Sequence, residues 1–183
     1  MFVRKELIIL TKARIFIFIK QLLARTSNEP AYFSAGKYLS RSYLSFDFAL
    51  SFYGLIPETV YVCTSATERK NHYRSFINSN GAFSYRHIPK NAFECGVNLI
   101  HERGISFRMA SPEKALCDKL FLLSPVKTLD NMRELLEDDI RIDIDALLHL
   151  NVNLIKKLST LYPSENVRKV WLFINREKLC TTK

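Results

Sequence analysis

Apolar residues are distributed differently in successive parts of the chain. Over residues 7–23 they run nearly unbroken, interrupted by Lys12, Arg14 and Lys20. As a helix, this stretch places Lys5, Lys12 and Lys20 on one side and Arg14 opposite; the run Ile15-Phe16-Ile17-Phe18-Ile19 suits a strand equally well. Ser27-Asn28-Glu29-Pro30 then supplies turn chemistry, because Pro30 fixes its own φ and biases Glu29 away from helix.

Past that boundary the spacing becomes regular. Ser45 is placed to cap a short helix on which Phe46, Ala49, Leu50 and Tyr53 recur at helical intervals; Gly54 stops it and Pro57 prevents a restart. Residues 60–65, 82–88, 97–101 and 105–109 are short, β-branched or aromatic, and separated by turn-formers such as Asn78-Ser79-Asn80-Gly81, which predicts strands. Loop length makes their pairing largely antiparallel.

The period changes again at Ser111, where a cap, Pro112 at the first helical position and Glu113 at the positive dipole end precede a stripe of Leu116, Leu120 and Leu123. Further helices are predicted over 129–137, 145–150, 152–161 and 165–177, the last with Val167, Val170, Trp171 and Ile174 on one face. The fold class that follows is α/β (α+β): a small mixed sheet flanked by helices, with an α-helical C-terminal part. The expected organisation is a basic and apolar segment over 1–30, an α/β core over 31–125 and a helical part over 126–183.

Composition narrows the function classes. The 183 residues carry a formal net charge of +9, which makes nucleic acid a plausible partner without specifying it. Cys63, Cys95, Cys117 and Cys180 are scattered with no Cys-x-x-Cys pair, so neither a disulfide framework nor a zinc knuckle is indicated, and a reducing cytoplasm is the expected location. Residues 7–23 meet charges well before the roughly 20 apolar residues that span a bilayer, and no small-residue cleavage site follows, so no membrane association is expected.

Searching for chemistry yields little. The five glycines stand singly, which rules out a phosphate-cradling glycine loop or a dinucleotide fingerprint. No Gly-x-Ser-x-Gly elbow and no His-Glu-x-x-His helix occurs, and His72, His87, His101 and His149 read as solvated or hydrogen-bonded rather than as metal ligands. Glu68-Arg69-Lys70 sets a carboxylate two residues before an amine just after a strand, with Asp47 upstream, a nuclease-like arrangement that reads equally as a solvated turn. Arg69, Lys70, Arg74, Arg86 and Lys90, interleaved with Tyr73, Phe76, Phe83 and Tyr85, are candidate nucleic-acid contacts together with Lys5 and Lys12, unless the aromatic residues face the core. No catalytic residue, metal site or cofactor is expected.

Three ordered segments carry a resemblance. Residues 42–58, reading Ser-Tyr-Leu-Ser-Phe-Asp-Phe-Ala-Leu-Ser-Phe-Tyr-Gly-Leu-Ile-Pro-Glu, are similar to the AbiEi-type antitoxins and related predicted transcriptional regulators, in which a Tyr-Ile-Ser turn opens a helix ending in Tyr-Tyr-Gly-Leu-Ile-Pro-Glu. Phe83-Ser84-Tyr85-Arg86-His87-Ile88 resembles the family's Tyr-Arg-His-Ile strand, and residues 110–118 its Pro-Glu-Lys-Ala-Leu-x-Asp helix. Residues 60–65 fall where the family has its first strand, and Arg133-Glu134-Leu135 with the following helices where it has its terminal helical part, so the resemblance runs over about 31–177.

The resemblance implies a non-enzymatic regulator of a type IV toxin–antitoxin, abortive-infection system. In such systems a winged helix-turn-helix autorepresses the operon and the domain retained here neutralises a nucleotidyltransferase-like toxin, without established direct contact between the two proteins. The winged helix is expected to be missing or truncated, since it needs more residues than precede Pro30. What carries over is the antitoxin part, with operator DNA as a further partner; nucleic-acid binding, a nuclease-like domain and a gene remnant are the alternatives. In the two signature segments, the Ser45 and Ser111 caps, Gly54 and a Lys114–Asp118 pair one turn apart read as scaffold.

Overall fold

A computed structural model describes residues 30–39, 41–69, 73–102 and 104–181. The predicted basic and apolar segment, with Lys5 and Lys12, lies outside the described residues, as does Lys70. The fold class is the expected one: a mixed sheet, helices against it and a helical C-terminal part.

In chain order the elements are α1 (Tyr32–Tyr38), β1 (Ser42–Leu44), α2 (Phe46–Phe52), β2 (Val62–Thr67), β3 (Arg74–Asn78), β4 (Gly81–His87), α3 (Lys90–Phe93), β5 (Val97–Glu102) and β6 (Ile105–Ala110). Then come α4 (Pro112–Phe121), α5 (Leu129–Glu134) running into a π-helical turn (Leu135–Asp139), α6 (Ile144–Leu148), α7 (Val152–Leu161) and α8 (Glu165–Thr181). The sheet order is β3-β4-β2-β1-β6-β5. Pairs β1–β2, β3–β4 and β5–β6 are antiparallel, whereas β2–β4 and β1–β6 are parallel. Short loops force antiparallel pairing only between consecutive strands. The β3–β4 hairpin folds back outside β2, and β6 returns beside β1 after a long excursion, so the parallel pairs escape an argument from loop length.

Strand alternation divides the sheet into two unlike faces. On one, Tyr85 donates its hydroxyl to the Ala35 carbonyl at 2.7 Å and Tyr38 meets Phe83 edge-on, so α1 covers this side. On the other, α4 packs across β6 and onto α2, α7 and α8. Helix α2 bridges the layers, because Phe48 also reaches the ring of Tyr32 on α1. The core is continuous from Phe33 and Tyr85 through Leu116 and Leu120 to Val170 and Phe173.

The helix boundaries have local causes. Tyr53, Gly54 and Leu55 close α2 with a Schellman pair, Gly54 N–H to Ser51 O and Leu55 N–H to Leu50 O, which requires the positive φ of +70° that glycine supplies. Ser111 caps α4 by accepting from the Lys114 N–H at 3.3 Å, with Pro112 following. Ser45 differs from its predicted role: its side chain makes no cap bond to α2. The Phe48 N–H is instead satisfied by the Thr64 hydroxyl at 3.1 Å, and Ser45 turns inward to a stronger, charged acceptor.

In the C-terminal part, α7 buries Ile155 and Leu158, while α8 buries Val167, Val170, Phe173 and Ile174. Trp171, predicted on that buried face, is half-buried, with Lys156 over its ring. Asn166, fully buried, ties the layers together: its amide nitrogen donates to the Leu120, Leu123 and Ser124 carbonyls and its oxygen accepts from the Val126 N–H. Among the described residues no helix is long and apolar enough to cross a membrane.

Candidate functional site

The two longest signature segments meet in the core. Asp118, on the inner face of α4, is wholly buried. Its Oδ2 accepts from the Tyr43 hydroxyl at 3.0 Å and the Ser45 hydroxyl at 2.6 Å. Its Oδ1 accepts from Lys114 Nζ at 3.0 Å and from the Tyr162 hydroxyl at the end of α7. Lys114, also wholly buried, further donates to the Ala92 carbonyl at 2.8 Å and to Tyr162. A carboxylate has about four acceptor sites and an ammonium three donors, and here each set is filled. The circuit is closed and sealed from solvent, so it holds β1, α3, α4 and the end of α7 in register and leaves no valence for a substrate.

Its surroundings are fitted to it. Gly96, at φ +77°, lies where an added Cβ would stand 3.0 Å from the Lys114 Cβ, so a side chain there would push α4 away. Glu113 bridges the Ser111 hydroxyl at 2.8 Å and the Asn151 N–H at 2.9 Å, joining the start of α4 to that of α7. Burial foremost, and then the Asp118 charge, push the Tyr43 and Tyr162 hydroxyls well above the ordinary tyrosine range. The neighbouring Cys117 thiol is raised by burial and is no nucleophile.

A second site is open. Between α2, α4 and the strands β2 and β4 lies a cleft of about 210 Å³ lined by Phe46, Asp47, Thr64, Ser84, Arg86 and Lys119, with Leu122 and Leu123 at one end. Asp47 and Lys119 pair across it at 2.7 Å. Phe46 holds a left-handed φ of +56°, and the Thr64 hydroxyl clamps the turn by donating to the Ser45 carbonyl at 2.6 Å.

The candidate residues from the sequence are only partly gathered. Asp47 lines the cleft beside Thr64, whereas Glu68 lies four residues farther on, roughly 13 Å along an extended strand, and pairs with Arg41. The nuclease-like set is therefore not assembled from its two carboxylates, and Lys70 is outside the described residues. Arg69, Arg74 and Arg86 are exposed towards one end of the sheet. Arg74 stands opposite Tyr85 and so belongs to the α1 face, while Arg86 belongs to the cleft face. Of the interleaved aromatics, Phe83 and Tyr85 are core, Phe76 is half-buried and stacks on both, and only Tyr73 is exposed. Arg86 lies over the Tyr73 ring at 4.2 Å.

Two of the histidines make local bonds, His101 with the Ser106 hydroxyl and His149 with the Asp145 carbonyl. Among the described residues no group of three or more His, Cys, Asp or Glu side chains converges as a metal site requires. Tyr43 and Tyr162 are the members of the buried circuit whose role sequence reasoning passed over, and Glu113 was read only for its place at the start of α4. The available signal was the one-turn spacing of Lys114 and Asp118 on a helix whose apolar residues Ala115, Leu116, Cys117 and Leu120 are spread around its axis rather than gathered into one stripe. No protein-family model and no curated protein matches the chain.

Proposed function

We propose that this chain is an antitoxin-like regulator of a type IV toxin–antitoxin system, acting by binding and without chemistry of its own, with a nucleotidyltransferase-like toxin as its functional partner. One observation carries the reading. The segments that resemble AbiEi-type antitoxins, 42–58 and 110–118, are far apart in sequence yet supply Tyr43, Ser45, Lys114 and Asp118 to one hydrogen-bonded circuit. Chance matches have no reason to converge; a fold signature does. Growth rescue tests it: co-expression with the nucleotidyltransferase of its own operon restores growth relative to empty vector. Continued growth arrest with soluble, folded protein present rejects it.

A second reading, nucleic-acid binding, is favoured by the exposed Arg86 guanidinium on Tyr73; Arg69 is exposed towards the same end of the sheet, and Arg74 on its other face. It requires duplex or single-stranded DNA binding whose affinity falls steeply with salt. Retention of affinity at high salt, or no binding at all, counts against it.

A further inference from the structure

The open cleft lies outside the buried circuit, and three of its properties point to a small ligand. The first is Arg86. Arg41, Arg108, Arg133, Arg141, Arg168 and Arg176 are each ion-paired. Among the described residues the partner shown for the Arg86 side chain is the Tyr73 ring, which orients the guanidinium and leaves its N–H fork for an acceptor. Ser84 lies two residues earlier on the same face and lines the cleft with it.

The second property is preorganisation. Phe46 keeps a strained left-handed backbone at the cleft wall, and the Thr64 hydroxyl fixes both sides of it through the Ser45 carbonyl and the Phe48 N–H. Strain of this kind collects at ligand clamps. The third is mixed polarity: Phe46, Leu122 and Leu123 make an apolar wall, Arg86 and Lys119 are cationic, and Asp47 is a carboxylate with one oxygen on Lys119.

We propose that the cleft binds a mononucleotide-class phosphomonoester. The phosphate sits on the Arg86 fork and the Ser84 hydroxyl, the ring lies against Phe46, Leu122 and Leu123, and Asp47 accepts from a ring N–H or sugar hydroxyl. A bare phosphate would leave the apolar wall unused and meet repulsion from Asp47. At about 210 Å³ the cleft is sized for a single small unit rather than for a run of nucleotides.

The test is nuclear magnetic resonance titration of the full chain with adenosine 5′-monophosphate, adenosine, inorganic phosphate and a short single-stranded oligonucleotide. The monophosphate is expected to shift the amides of Asp47, Ser84 and Arg86 saturably and to bind more tightly than adenosine or phosphate. Arg86→Gln should weaken it roughly tenfold to a hundredfold, the range for hydrogen bonds to charged groups. Arg74→Gln, on the other face, should leave it unchanged. If Arg86→Gln does not fold, Ser84→Ala gives the same reading with a smaller loss. Absence of saturation by the monophosphate, insensitivity to both cleft variants, phosphate binding as tightly as the monophosphate, or binding of the oligonucleotide only would each overturn the proposal.

Discussion

Lys114 and Lys119 stand on the same helix and each binds an aspartate, Lys114 to Asp118 at 3.0 Å and Lys119 to Asp47 at 2.7 Å. The first pair is 0% exposed on both sides; in the second the side chains are 24% and 37% exposed. Proximity is alike, so distance says nothing about importance. What separates them is water. Around Asp118 every hydrogen-bonding site must be filled by the protein, and Tyr43, Ser45 and Tyr162 are there to fill them. Around Asp47 solvent completes the shell, and the same chemistry is left free for a ligand.

The comparison breaks most visibly at Asp118. Asp118→Ala leaves the Lys114 ammonium buried without its counter-charge and is expected to cost about 3–5 kcal/mol in chemical denaturation. Lys114→Met combined with Asp118→Leu should recover part of that loss, since no unpaired charge remains, although the Tyr43, Ser45 and Tyr162 hydroxyls and the Ala92 carbonyl lose their partners. A double variant as unstable as Asp118→Ala would mean that the circuit contributes more than satisfied burial. Tyr162→Phe takes one donor from Asp118 and one acceptor from Lys114, for an expected loss of about 1–3 kcal/mol.

Alkali probes the same region without mutation. The folded chain holds the Tyr43 and Tyr162 protons above the ordinary value of 10.0, while the unfolded chain releases them there. The folded state then binds more protons than the unfolded one, so stability falls as pH rises. Below pH 10 the contribution is fully present; above it the thermal midpoint should fall progressively. Tyr85 and Cys63, both pushed up to about 12 by burial, add to the same limb, Cys63 from its ordinary value of 9.0. A flat alkaline profile would contradict the sealed environment. The smallest effect belongs to the cleft: Lys119→Ala should change stability by about 0–1 kcal/mol, as exposed pairs do, while altering the cleft's charge. A larger loss would show that the two pairs are not distinct in kind.

Legibility followed the same division. The start of α4 could be read from Ser111, Pro112 and Glu113, the whole of α7 from its apolar spacing, and the end of α2 from Gly54, because each depends on neighbours within a turn. Strand β1 passed as a turn, as its three residues are buried on both faces and show no alternation. Strand β3 and helix α1 were also passed over: β3 is an edge strand whose Ile77 is exposed, and α1 is a short helix without a side-chain cap. The aromatic residues among the basic ones illustrate the limit, since Phe83 and Tyr85 went to the core and Tyr73 to solvent. Residue type does not encode which face is wet.

The local spacing of apolar, capping and turn residues was enough to determine the mixed α/β class and most of the boundaries of the longer helices. Those features depend on interactions between residues close in sequence. Tertiary structure decided that Ser45 serves Asp118 rather than its own helix, that Lys114 is sealed and Lys119 open, and that Arg74 and Arg86 lie on opposite faces. Each of these depends on which distant segment arrives to exclude water, and a change of solvent around a charge alters its energetics more than any neighbour in the sequence can.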